Sequence, residues 1–138
     1  MNHNVTLRAT SLVAVLLLTL HLAGDVVYGM DAGGSSLLIG ILILAVWCYG
    51  TMALGQRRSG HIIMLLGALF ASAMPVIHTR GAGLGGDFAR SPGAFFFIWT
   101  LLALGVTGLV AFVLSLHGLW ALRRERLPMR ESTAARPD

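Results

Sequence analysis

The stretch ATSLVAVLLLTLHLAGDVVY, Ala9 to Tyr28, decides how this chain folds. It is one unbroken apolar run whose single formal charge is Asp25. At ~1.5 Å per helical residue, a run of about 20 residues matches the ~30 Å hydrocarbon core of a bilayer. Three more runs of similar character follow: Leu37–Leu54, His61–Ile77 and Gly93–Leu122. Apolar residues make up 56% of the 138-residue chain and charged residues 12%, about half the share of a soluble domain. The pattern predicts an all-α integral membrane protein, an antiparallel bundle of four transmembrane helices. Residues 1–122 form one membrane domain (spans about 9–28, 37–54, 61–77 and 93–122), and 123–138 form a basic tail.

The charge placement predicts orientation. All ten basic residues are arginine. Arg8 precedes the first run, Arg57 and Arg58 separate the second from the third, and Arg123, Arg124, Arg126, Arg130 and Arg136 follow the fourth; only Arg80 and Arg90 fall on the other side. Such a positive-inside bias predicts that both termini and the Gln56–Gly60 turn are cytoplasmic, in agreement with an even number of spans, which puts the termini on one side. This points to a multi-pass protein of the bacterial inner membrane. Dispersal of the arginines over span ends argues against nucleic acid as a partner, despite a pI near 10.6. The tail can also touch anionic headgroups. The single cysteine, Cys48, excludes internal disulfides and paired-cysteine redox chemistry and reads as a packing residue. The first run lacks a good small-x-small cleavage site and is read as a retained helix, not a signal peptide.

Local signals place the turns. Met30–Ser36 forms an outer turn, with Ser35 or Ser36 capping span two. Trp47 and Tyr49 read as interface aromatics. Pro75 frees the carbonyl of Ala71, predicting a kink or early end of span three. The glycine-rich connection His78–Ser91 comes next, and Ser91-Pro92 is a helix-start signal. Phe95, Phe96, Phe97 and Trp99 open span four and Trp120 closes it, an aromatic band at each interface; its length predicts tilt or projection from the bilayer. The tail, with Pro128 and Pro137, is predicted to be partly disordered.

Small residues recur at four-residue steps: Ala103, Thr107, Ala111 and Ser115 on span four, and Gly67, Ala71 and Pro75 on span three, with Ala68 and Ser72 alongside. In lipid, close approach over small residues is a main source of helix affinity. These faces are expected to meet each other, or one of them to be an oligomer contact.

Polar residues inside an apolar run are costly, by at least ~2.5 kcal/mol for a carboxylate near the bilayer centre. His21, Asp25 and Tyr28 project from one face of span one, and His78 and Arg80, just past Pro75 at the outer end of span three, are expected at the level of Asp25. This intramembrane polar cluster has three readings. It is a hydrogen-bonded group that fixes helix register, a proton- or substrate-handling site, or a metal or haem site using His21, Asp25 and His78. A depth difference between His21 and His78 of roughly 8–10 Å at ~1.5 Å per residue strains a shared ligand sphere. His61 and His117, both near the cytoplasmic surface, could form a second cofactor pair or simply contact headgroups. Gly81–Gly86 satisfies GxGxxG, but neither strand nor following helix frames it as a dinucleotide site. No catalytic-nucleophile motif or paired-cysteine metal motif is present, so nothing identifies a catalytic nucleophile and a non-enzymatic role is the leading expectation.

Four helices in a short chain, with one acidic residue, Asp25, in the first, resemble small multidrug transporters in topology. Those proteins use a glutamate nearer mid-helix and have shorter loops, so the resemblance carries no function over. Small cofactor-holding or anchor subunits of respiratory and photosynthetic complexes share the outline. The leading expectation is a structural or accessory subunit of a membrane homo-oligomer or larger complex. A small proton-coupled transporter using Asp25 comes second, and a haem- or metal-binding redox subunit using His21 and His78 third.

Overall fold

In the computed structural model the chain forms four helices, α1 (His3–Val27), α2 (Gly34–Met52), α3 (Arg58–Arg80) and α4 (Pro92–Arg124). The structure describes residues 2–29, 34–80 and 92–124, apart from the side chains of residues 35, 79, 80 and 92. The turn at 30–33, the connection at 81–91 with its GxGxxG motif and Ser91, and the tail from 125 lie outside the described residues, which contain no strand.

Helices α1, α3 and α4 are each long and apolar enough to cross a bilayer. Helix α2, 19 residues and about 28 Å at ~1.5 Å per residue, is the shortest. α1 starts six residues before the apolar run, at His3 rather than Ala9, so the polar lead is helical. It stops where Gly29 adopts φ +66°, the left-handed conformation that ends helices, with Tyr28 N–H donating to the Gly24 carbonyl at 2.9 Å. α3 does not end at Pro75 but runs on to Arg80.

Consecutive helices lie side by side with alternating direction, and α4 closes back onto α1; α3–α4 is the most extensive contact and α1 also touches α3. At the near end, where α1 begins, His3 meets His117 and Leu114 of α4, and Arg8 donates to the Met52 carbonyl at the end of α2. At the far end, where α1 finishes, Tyr28 meets Gly93 and His21 meets His78.

The buried stripe on each long helix follows a seven-residue repeat. On α1 it is Leu7, Ser11, Ala14, Leu18 and His21; on α4 it is Ala94, Phe97, Leu101, Leu104, Gly108, Ala111, Ser115 and Gly118. Alternating steps of three and four keep a stripe facing its neighbour, the arrangement of coiled-coil packing. Four-residue steps rotate about 40° each time on a 3.6-residue helix and leave the face after a few turns. Hence Ala111 and Ser115 are buried, while Ala103 and Thr107 lie half-buried beside the stripe. Thr107 donates to the carbonyl of Ala103 in its own helix.

Close approach is concentrated where side chains are absent. A Cβ at Gly108 would lie 2.8 Å from the Ala71 Cβ, so α3 and α4 meet backbone to backbone there. Gly67, on the other flank of α3, receives the indole of Trp47 from α2. Trp47 is therefore an interior residue, 1% exposed, rather than an interface aromatic. Its Nε1–H donates to Ser11 Oγ at 2.8 Å, Ser11 donates to Thr51 Oγ1 at 2.8 Å, and Thr51 donates to the Trp47 carbonyl at 2.9 Å. Because the carbonyl can only accept, the direction of all three protons is determined, and each buried donor is satisfied.

Candidate functional site

The far end gathers polar side chains from two helices. Continuing the α1 stripe past His21 brings Asp25, one turn on, beside it. From α3 comes His78, and from α4 Phe97, all at the same level. His21 Nε2 lies 3.7 Å from Asp25 Oδ2, and His78 Nε2 lies 4.0 Å from Asp25 Oδ1. The two imidazoles meet edge to face, centroids 4.7 Å apart at 75°. Phe97 backs both, at 4.9 Å from His21 and 5.8 Å from His78. One donor atom from each of His21, Asp25 and His78 fits within a 4.8 Å span.

Two features define the chemistry here. His78 Nδ1 lies 3.0 Å from the Met74 carbonyl. A carbonyl only accepts, so Nδ1 carries the proton, and in the neutral ring Nε2 presents its lone pair toward Asp25. His21, only 1% exposed, makes no hydrogen bond at either ring nitrogen. Asp25 is the only carboxylate side chain among the described residues. It is accessible from the α1–α2 side, where it lines a small cleft with Leu22, Val26, Ser36 and Leu37.

One turn toward the middle of the molecule, Leu18, Met74 and Leu101 lie under His21, His78 and Phe97 respectively, all buried in one apolar cluster. The polar group thus sits in a cup with an apolar floor.

The structure brings His21, Asp25 and His78 together despite the depth difference estimated by residue counting. The side chain of His78 folds back one turn onto Met74, as helical side chains lean toward the N-terminus, and α3 persists past Pro75 to carry it. Tyr28 stands at the rim, its ring edge-on to Phe97 at 6.4 Å. The Arg80 side chain lies outside the described residues.

His61 and His117 each have their own neighbours at the near end. His117 packs on His3, centroids 4.8 Å apart, and toward Trp120, whose ring carries the Arg124 guanidinium at 3.5 Å. His61 is 1% exposed, seated over Gly118, with Nδ1 donating to the Arg57 carbonyl at 3.0 Å. His3 and Phe97 are the participants the sequence reading missed. The α1 repeat extended backward from Leu7 reaches the exposed Asn4 and passes beside His3, so it does not signal His3, whereas the α4 repeat separates Phe97 from its exposed neighbours Phe95 and Phe96.

No protein-family model matches this sequence, and comparison with curated proteins and with solved structures returns no match.

Proposed function

We propose that this chain is a small multi-pass protein of the cell inner membrane, an antiparallel bundle of four spanning helices with both termini cytoplasmic. In this reading it serves as a ligand-holding accessory subunit of a membrane oligomer or larger complex. Large apolar side chains such as Leu16, Leu38, Leu66, Phe95, Val106 and Val113 cover the outer faces of all four helices, which suits a lipid solvent. Arg8, Arg57, Arg58, Arg123 and Arg124 all belong to the near end, and the positive-inside rule assigns that end to the cytoplasm. About seven residues of α4 run past the level of His3, which suits a position of Trp120 and its stacked Arg124 at the inner headgroups.

The observation that carries the accessory role is the apolar floor of Leu18, Met74 and Leu101. A pathway across the membrane needs polar or wet lining through the midplane. Here the polar group ends on a buried apolar floor, which suits holding a ligand rather than passing one through. A second reading, a proton-coupled transporter, is favoured by the position of Asp25 on the α1–α2 cleft. Gentle solubilisation followed by native mass measurement tests the first: a larger assembly is expected, and a stable lone chain would refute it. Asp25→Asn tests the second. Under the accessory reading proton-coupled uptake does not depend on Asp25; loss of such uptake in this variant, with the assembly intact, would establish the transporter instead.

A further inference from the structure

We propose that His21, Asp25 and His78 bind one divalent transition-metal ion, with zinc the best match, so that the ligand held in the far-end cup is a metal. The inference rests on the ligand-holding reading above and names the ligand.

Three observations carry it. First, the donors are near each other without bonding each other. At 3.7 and 4.0 Å, the imidazole–carboxylate separations exceed the 2.7–3.2 Å range of a hydrogen bond. A cluster whose purpose was to fix helix register would close those gaps. Around a tetrahedral ion with bonds of ~2.0–2.1 Å, neighbouring ligand atoms stand about 3.4 Å apart. The present 4.8 Å span therefore closes onto an ion through small side-chain rotations.

Second, His21 is buried, with both ring nitrogens lacking a hydrogen bond and Nε2 aimed at Asp25. A buried polar group without a partner is costly, and a bound cation is the partner that the Nε2 lone pairs of His21 and His78 and the Asp25 carboxylate together accept. Third, the Met74 carbonyl holds His78 by Nδ1. That contact leaves Nε2 free to ligate and orients the ring, as the outer-sphere partner of a metal-binding histidine does.

The donor set selects the ion. Two imidazoles and one carboxylate suit zinc and its borderline neighbours, whereas magnesium and calcium take oxygen ligands almost throughout. The Asp25 carboxylate cancels one of the two positive charges, which lowers the cost of the ion among Leu18, Leu101 and Phe97. Three protein ligands leave a fourth position for water.

The test uses the full chain in detergent, stripped with chelator, passed over a sizing column and titrated with zinc chloride. Bound metal is counted by elemental analysis, and cobalt chloride in parallel reports ligand geometry by its visible spectrum. One zinc per chain is expected, with a tetrahedral cobalt spectrum and a metal-dependent rise in melting temperature. Asp25→Asn and His21→Ala should each weaken binding by more than about 100-fold, beyond the effect of losing an outer-sphere contact. His117→Ala, at the opposite end, should leave it unchanged. If His21→Ala does not fold, Asp25→Asn, equal in size to the native residue, decides. Failure of the stripped native chain to bind zinc, or unchanged binding in Asp25→Asn, overturns the proposal. An assembly that survives stripping and takes up no zinc refutes the metal alone; a solitary chain that binds zinc refutes the accessory role alone.

Discussion

The three-membered relay Trp47–Ser11–Thr51 is the best-satisfied polar group in the interior, and it ties α1 to α2 in an environment without competing water. Side-chain hydrogen bonds between membrane helices average ~0.6 kcal/mol, with a maximum near 1.7. Removing Ser11 does more than delete a bond: it strands the Trp47 Nε1–H, which is fully buried. Ser11→Ala is therefore expected to cost about 1–2 kcal/mol, at or just above the top of that range. Thr107→Val should cost less than ~0.5 kcal/mol, because its hydroxyl bonds only within its own helix. Denaturant unfolding in mixed micelles compares the two, and equal losses would contradict the relay. The relay was not legible in the sequence. Trp47 sits four residues from Thr51, near the end of an apolar run, where an indole ordinarily marks an interface. Only the glycine facing it on α3, Gly67, turns it inward.

Among the elements, α3 and α4 form the tightest pair, and Gly108 is where their backbones approach. A side chain there meets the Ala71 Cβ and the backbone nitrogen of Ser72, both at 2.8 Å from the added carbon, and neither can move without moving the helix. Gly108→Leu is expected to destabilise by about 2–3 kcal/mol through overpacking. Gly34→Ala, at the open start of α2 with nothing within 4 Å, should be neutral or stabilising by about 0.5 kcal/mol. Melting curves in detergent separate them; a tolerated leucine at 108 would show that the helices part more easily than their packing indicates. The helices themselves were legible as apolar runs, because length and hydropathy alone pick them out. Their ends were less so. The α1 start at His3 and the passage of α3 through Pro75 depend on neighbouring helices that continue alongside, which no local signal records.

At the level of the whole molecule, the far-end cluster was half legible. The spacing of His21 and Asp25 on one face of α1 is a property of a single helix and can be read directly. Their meeting with His78 depends on a side chain folding back along another helix, which counting residues from a span boundary does not capture. The two ends of the molecule also differ in kind. The near end gathers arginines and three histidines, His3, His61 and His117, whereas the far end holds the described carboxylate.

The indoles inherit that layout. Trp47 is enclosed, while Trp99 and Trp120 are 61% and 52% exposed, on the outward side of α4 and toward opposite ends. Emission from the native protein is thus already partitioned into one shielded and two unshielded fluorophores. In vesicles made with brominated phospholipids, a single-indole variant retaining Trp47 should stay bright while those retaining Trp99 or Trp120 dim. Moving the bromines along the acyl chain then turns the latter two into a ruler for how deeply each rim of the protein rests.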